Sequence, residues 1–285
     1  MIANKYKIMS KIGNGKFGHV YRGKYTRNDE DVAIKIENLD TPIKLLQHET
    51  RILNYINSKH STSVPFVYWY GLYRGNPTLI MPLYEISLEK YNDNRIVSKK
   101  ENLLNVVKMI DILKFVHECG VIHCDLKPDN FMIKNNALYL IDFGLSKIYI
   151  DDDMKPLPEE TGNEFITGTP KFISLHIHIG KSPGRRDDLI AILYIYMYYK
   201  NGGNLDWLNI PDTSVEDTFP PNHIRYFKNR ERMRLKQIHS DNLQSSSLDK
   251  KILYYLHRVD FIEKPHYNWM TSLFQEEISL LHDID

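Results

Sequence analysis

Cysteine is scarce in this chain. There are two, Cys119 and Cys124, too few for a disulfide framework and in keeping with a reducing compartment. No further Cys or His completes a zinc pattern around them. His176 and His178 stand two apart with no other ligand type beside them, so they too are read as structural. An apolar signal core is lacking in Met1-Ile2-Ala3-Asn4-Lys5. The longest apolar run, Leu189 to Tyr199, is too short to span a bilayer. An excess of either charge is lacking as well. The formal net charge is +1 and there is no long basic run, which suggests neither nucleic acid nor a membrane surface as partner. These absences lead to the expectation of a soluble, intracellular, cytoplasmic protein, with nuclear entry left open. What is present is ordinary: 285 residues, 42% hydrophobic and 26% charged, enough for one large domain or two lobes.

The most informative stretch is His123-Cys124-Asp125-Leu126-Lys127-Pro128-Asp129-Asn130. Apolar Val121-Ile122 precedes it and Phe131-Met132-Ile133 follows. A short polar loop pinned between buried segments is how proteins present catalytic groups. A lone Asp in a loop is usually a turn former. The ordered set Asp125, Lys127, Asn130, then Ile141-Asp142-Phe143-Gly144, is far more specific. It resembles the catalytic and metal-binding loops of a protein kinase.

The N-terminal part agrees. Gly13-Asn14-Gly15-Lys16-Phe17-Gly18 stands between strand-like Tyr6–Ser10 and Val20–Tyr25. A dinucleotide-binding turn would feed a helix; here the glycines sit in a hairpin, where backbone amides reach phosphate oxygens and Phe17 caps the tip. Val32-Ala33-Ile34-Lys35 alternates as a strand ending in a lysine. A helix is expected from Ile43 to Asn57, with Glu49 as candidate partner of Lys35. Val67–Tyr73 and Thr78–Met81 read as two more strands, and Met81-Pro82-Leu83-Tyr84 as a hinge. Pro82 has no N–H, but its carbonyl still accepts, and the Tyr84 amide is the expected donor to adenine.

The C-terminal part reads as helical. Leu103, Val107, Ile110, Leu113 and Phe115-Val116 give a long amphipathic helix ended by Gly120. Asn135-Asn136-Ala137 makes a hairpin turn before Leu138–Ile141. Leu145 to Gly168 is polar and is expected to be a mobile activation segment, with Asp151–Asp153 solvated. Leu189–Met197 is apolar all round, as in a buried helix; Asp187 at its start is expected to cap it and to brace the catalytic loop. Beyond Trp207 the chain is polar, basic around Arg230 to Lys236 and Ser-rich at Ser245–Ser247, and reads as surface. A last packed helix carries Trp269, Met270, Leu273 and Phe274.

The chain is similar to protein kinases over almost its whole length, and more narrowly to the casein kinase I group with its vaccinia-related kinase relatives. Gly168-Thr169-Pro170-Lys171-Phe172-Ile173-Ser174, running on to Gly180, resembles that group's closing pattern of the activation segment. Arg185-Arg186-Asp187-Asp188-Leu189 and Lys264-Pro265-x-Tyr267 match two more of its motifs. Four positions depart: Cys124 replaces the loop arginine, Pro82 the hinge glutamate, His176 an asparagine and Lys171 an arginine. The Cys124 departure argues against activation by loop phosphorylation. No basic residue near Leu243-Gln244-Ser245 matches the family's substrate-phosphate site; Lys171, Arg185 and Arg186 are the expected smaller anion site.

The resemblance implies an α+β, bilobal protein kinase fold, with a small antiparallel β-sheet lobe over 1–84 and a mainly helical lobe over 85–285. It implies transfer of the γ-phosphoryl group of ATP to Ser or Thr of protein substrates. Asp125 is then the base, and Lys127 neutralises the γ-phosphate. Lys35, paired with Glu49, holds the α- and β-phosphates, and Thr169 sets the loop by bonding Asp125 and Lys127. Asn130 and Asp142 hold Mg²⁺, with Mn²⁺ as a substitute. ATP is expected to contact Ile12, Gly13, Asn14, Gly15, Lys16, Phe17, Gly18, Val20, Ala33, Lys35, Met81, Pro82 and Tyr84. A monomer is expected. The Ile-, Asn- and Tyr-rich composition suits a compact kinase of an AT-rich genome, a viral one included. The rival readings are a pseudokinase scaffold without turnover and a small-molecule kinase of similar fold.

Overall fold

The computed structural model describes the chain except 16–17, 40–43, 94, 164–165, 209, 211–220, 243–246 and 282–285; for Gly15 and 221–225 it describes the backbone alone. The chain divides into two compact units, Met1–Tyr91 with Asp129–Ser146, and Asn92–Pro128 with Lys147–Asp285.

The first unit is built on β1 (Tyr6–Gly15), β2 (Gly18–Tyr25), β3 (Glu30–Glu37), α1 (Leu45–Asn57), β4 (Trp69–Tyr73) and β5 (Asn76–Pro82). The strands form one antiparallel sheet in the order β1-β2-β3-β5-β4. Successive strand residues face opposite sides. Val32, Ile34 and Ile36 therefore share one face, where Val32, Ile34 and Ile80 join Ile2 and Tyr6 in an apolar cluster. Full burial of such a side chain is worth roughly 1.5–3 kcal/mol. That face holds the sheet together and leaves the other free to carry Ala33 and Lys35. Helix α1 buries Leu46, Ile52, Leu53 and Ile56. The expected start of this helix at Ile43 lies outside the described residues. Its first turn is capped from β3: the Glu37 carboxylate accepts from the amides of Leu45 at 2.7 Å and Leu46 at 3.3 Å. A negative charge there also suits the helix dipole.

The chain continues through β6 (Ile86–Ser87), α2 (Leu88–Asn92), α3 (Lys99–Glu118), β7 (Val121–Ile122), β8 (Phe131–Lys134) and β9 (Ala137–Leu140). Strands β6, β8 and β9 form a second small sheet in the first unit. Asn135 and Asn136 make its hairpin turn with φ of 50° and 60°, the left-handed geometry that asparagine tolerates best after glycine.

The second unit adds β10 (Lys147–Ile148), α4 (Leu175–His178), α5 (Arg185–Lys200), α6 (Pro221–Asp241), α7 (Leu248–Leu256) and α8 (Tyr267–Leu280). Helix α3 starts on Ser98, whose hydroxyl oxygen accepts from the Glu101 amide at 3.1 Å. As its apolar pattern predicts, α5 is buried from Arg185 to Met197. Helices α3 and α7 pack against it, and α8 packs against α3. The stretch beyond Trp207 is exposed or half-buried over the described part of α6, as expected, with one exception. Trp207 is 0% and Lys236 on α6 is 1% exposed. The expected mobile segment is fastened at several points. Leu157 N donates to Tyr149 O at 2.8 Å, Glu160 N to Ser182 Oγ at 3.0 Å, and Lys181 Nζ to Glu159 at 3.0 Å. Asp151–Asp153 is exposed, as expected. Among the described residues no helix is long and apolar enough to cross a membrane.

Candidate active site

In the first unit the sheet register gathers the nucleotide candidates. Lys35 stands opposite Val20 on β2 and Leu79 on β5, and Ala33 opposite Met81. Directly opposed residues point to the same face. Val20, Ala33, Lys35 and Met81 therefore line one side of the sheet. At the end of this surface Gly13 pairs with Val20, Asn14 with His19 and Gly15 with Gly18. A Cβ on Gly18 would lie 2.2 Å from the Ile36 carbonyl oxygen, so β3 itself demands glycine there. Lys16 and Phe17, the expected tip, lie outside the described residues. Ile12 is an exposed residue of β1, and Pro82 ends β5. The Tyr84 ring packs 4.8 Å from that of Tyr139.

Lys35 meets its expected partner. Its Nζ donates to both Glu49 oxygens, at 2.8 and 3.0 Å, and to Asp142 Oδ1 at 3.2 Å. Burial alone would lower the lysine pKa; Asp142 and then Glu49 outweigh it and raise it above the ordinary value. Burial raises the Glu49 carboxyl, with Lys35 opposing. Two hydrogen bonds to one carboxylate decide for an ionised pair.

Asp142 has φ of 68°, left-handed for a residue with a Cβ, which stores strain of the kind found at functional sites. Its side chain is 44% exposed despite the Lys35 contact. Asn130 is buried at the end of the turn Pro128–Asn130, and its carbonyl accepts from Ile141 N at 2.9 Å. That bond extends the Phe131–Leu140 pairing of β8 and β9 and brings the two loop ends together. One carboxylate and one carboxamide are hard oxygen donors, which fits Mg²⁺ or Mn²⁺ carried by a polyphosphate.

The second unit holds the other candidates. Lys127 Nζ lies 2.7 Å from Asp125 Oδ2, and the Thr169 hydroxyl donates to Asp125 Oδ1 at 2.6 Å. Each oxygen of one carboxylate is thus held by a different side chain. The loop bearing it is strained, since Cys124 has φ of 69°. Asp188 secures that strain: its oxygens accept from His123 N at 2.7 Å and Cys124 N at 3.0 Å. The sequence reading assigned this brace to Asp187. Asp187 instead caps α5 through Gly184 N at 2.8 Å and takes Ser174 Oγ at 2.5 Å and His176 Nδ1 at 3.0 Å. Gly168 closes on the same loop with φ of 96°; a Cβ there would lie 2.5 Å from the Cys124 carbonyl oxygen. Burial, then the Asp188 charge, pushes the Cys124 thiol well up, away from nucleophilic reactivity.

A family model described as the protein kinase domain matches residues 6–177, more than half of the chain. The chain belongs to the protein kinase family. As a kinase it is a phosphotransferase that uses ATP with a divalent metal ion and acts on protein substrates. The match runs from the start of β1 into α4, so it spans every catalytic, nucleotide and metal candidate named above.

Three residues of this kinase escaped the sequence reading. Glu37 caps the helix that carries Glu49. His117, buried in α3, contacts Asp188 at 3.1 Å and Tyr267 at 2.8 Å. Lys236 looked like a surface residue. The expected anion site is not assembled. Arg185 is buried and donates to Ile262 O at 2.6 Å and Tyr149 Oη at 3.3 Å. Arg186 is buried and donates to Val259 O at 2.8 Å and Glu159 at 2.5 Å. Lys171 Nζ sits 3.4 Å from the centre of the Tyr198 ring. Two guanidiniums facing inward leave no cluster of three cations for a substrate phosphate.

Proposed function

We propose that this kinase transfers the γ-phosphoryl group of Mg-ATP to serine and threonine hydroxyls of proteins, in the manner of the casein kinase I group. The observation that best supports catalysis over a scaffold role is the Asp125 carboxylate, held by Lys127 on one oxygen and Thr169 on the other. Asp125 orients the acceptor hydroxyl and takes its proton, an effect worth about 10²–10⁴-fold in rate. Lys127 sits beside the base and neutralises charge on the transferred group. A lysine at this place resembles the serine/threonine kinases. Lys35, fixed by Glu49, holds the α- and β-phosphates, and the amides of the Gly13–Gly18 hairpin cradle them. Asn130 and Asp142 hold the divalent cation, which when bound offsets the negative charge of the phosphate oxygens. Most of the acceleration then comes from positioning and charge.

The test is transfer from γ-labelled Mg-ATP to casein, with phosphoamino-acid analysis, run beside Asp125→Asn. Label on serine or threonine from the wild type and at least a ~10²-fold lower rate from the variant support the assignment. Nucleotide binding without transfer by the wild type to casein or any protein acceptor would favour the scaffold reading. Label on tyrosine would overturn the acceptor class.

A further inference from the structure

The turn 169–173 at the end of the activation segment is anchored through its backbone. The Thr169 carbonyl accepts from Phe172 N at 2.8 Å and Ile173 N at 3.1 Å. The carbonyls that follow are taken by side chains from far along the chain. Lys236 Nζ donates to Pro170 O at 2.9 Å and to Ile173 O at 2.7 Å. Trp207 Nε1 donates to Lys171 O at 2.8 Å. The third ammonium direction meets His178 Nε2 at 3.2 Å, and the Tyr194 and Trp207 rings lie 5.2 Å away.

This is an unusual place for lysine. The side chain is 1% exposed, and burial drives its pKa well below the ordinary value. A buried ammonium is unfavourable unless its hydrogen bonds are made. Here Nζ meets three partners, two of them carbonyls of one turn. An apolar residue would fill the same space without that desolvation. What lysine adds is a fixed place for the turn, and the turn carries Thr169, whose hydroxyl bonds Asp125 at 2.6 Å.

We propose that Lys236 is a positioning residue for phosphoryl transfer. It locks the turn 169–173, with Trp207 as a second strut, and so sets the Thr169 hydroxyl against the Asp125 carboxylate. The inference rests on the reading of Asp125 as the base. It makes Lys236 act on the rate of transfer through Thr169 and leaves nucleotide affinity alone.

Lys236→Met keeps the length and apolar stem of the side chain and removes all three Nζ contacts. The kcat for casein phosphorylation should fall by about 10-fold or more, with the KM for ATP unchanged within about twofold. In a Thr169→Val background, where the path to Asp125 is already cut, adding Lys236→Met should lower the single-turnover rate by less than about twofold. A purely structural lysine would weaken both backgrounds alike. Equal losses in the two backgrounds, or an unchanged kcat in folded Lys236→Met, would overturn the proposal. Near-UV circular dichroism and thermal melting establish folding. Should Lys236→Met fail to fold, Trp207→Phe removes the bond to the Lys171 carbonyl together with part of the buried ring beside Tyr194, and enters the same cycle. Its kcat should fall by roughly threefold or more, and that loss should vanish beside Thr169→Val; a loss of full size there contradicts the proposal. A wild type without transfer removes the reading of Asp125 together with this inference. A wild type that transfers, with Lys236 indifferent, removes this inference alone.

Discussion

The Lys35–Glu49 pair of the first unit and the Asp125 loop of the second are held in different ways. In the first, Lys35 projects from a regular strand, and Glu49 from a helix packed on the same sheet. Backbone hydrogen bonds and an apolar opposite face fix both. In the second, Asp125, Lys127 and Thr169 stand on irregular backbone, with φ of 69° at Cys124 and 96° at Gly168. What fixes them is a set of buried polar side chains: Asp188 beneath the catalytic loop, Asp187 at the head of α5 and Lys236 beneath the turn 169–173. A strand address tolerates change around it because the register is collective. A loop address depends on single hydrogen bonds, each irreplaceable where buried. On the sheet of the first unit, function should therefore be lost mainly when Lys35 or Glu49 itself is changed. The second unit should lose it also when a remote support is changed.

The largest effect tests the first half of that contrast. Lys35→Met should cut transfer by at least ~10²-fold. It also strands Glu49. Losing one partner of a buried pair costs about 3–5 kcal/mol, and the partly exposed Lys35 here suggests the lower end. Adding Glu49→Leu should restore the melting temperature without restoring transfer. Recovery of both would show that the pair serves only stability.

The second half is tested by a neighbouring pair of carboxylates. Asp188→Asn should lower kcat about 10-fold and stability by roughly 2 kcal/mol, because one of the two oxygens that accept from His123 N and Cys124 N becomes an NH₂ group, which cannot accept. Asp187→Asn should cost similar stability through α5 and Ser174 with a smaller change in kcat. Kinetics and urea unfolding on the two variants decide whether the brace is Asp188.

Acid should bring out the contrast more gently. Burial, then the Lys236 charge, lowers the His178 pKa to about 3; burial, then His176, lowers that of His257 to about 4. Both values lie below the unfolded value, so the neutral forms stabilise the fold fully above pH 6.5. That contribution is lost as pH falls from 6.5 toward 4 and then 3. With their partial exposure the two together should remove on the order of 2 kcal/mol by pH 4.5. Both histidines belong to the second unit. Hydrogen exchange at pH 4.5 should therefore show amides of α4 and α7 losing protection before those of β3 and β5. The reverse order would contradict the assignment.

Much of the fold was legible. Alternation marked β3, the glycine hairpin marked β1 and β2, and uniform apolarity marked α5. The site residues on short ordered motifs were legible too, since their spacing is local. The supports were not. Asp187 and Asp188 are adjacent at a helix start, where a turn of about 100° per residue sends them to different partners; sequence carries no orientation there. Lys236 was hidden for another reason. The inward side of α6 includes Asn229, Arg232, Met233, Lys236 and His239, a mostly polar stripe that hydropathy reads as surface. Arg185 and Arg186 misled in the opposite direction: a basic pair suggested an anion, whereas their guanidiniums answer backbone carbonyls. Glu37 gave no signal, because a cap donated from a preceding strand has no fixed spacing.

In the proposed mechanism the labour is divided: the first unit would hold nucleotide and metal, and the second would supply the base. The most direct measurement is calorimetric titration of Mg-ATP into wild type, Asp142→Asn and Asp125→Asn, paired with single-turnover transfer to casein. The account predicts that Asp125→Asn binds Mg-ATP as the wild type does and transfers at least ~10²-fold more slowly, while Asp142→Asn loses Mg-dependent binding as well as transfer. Wild-type transfer by Asp125→Asn, or Mg-dependent binding unchanged in Asp142→Asn, would contradict it.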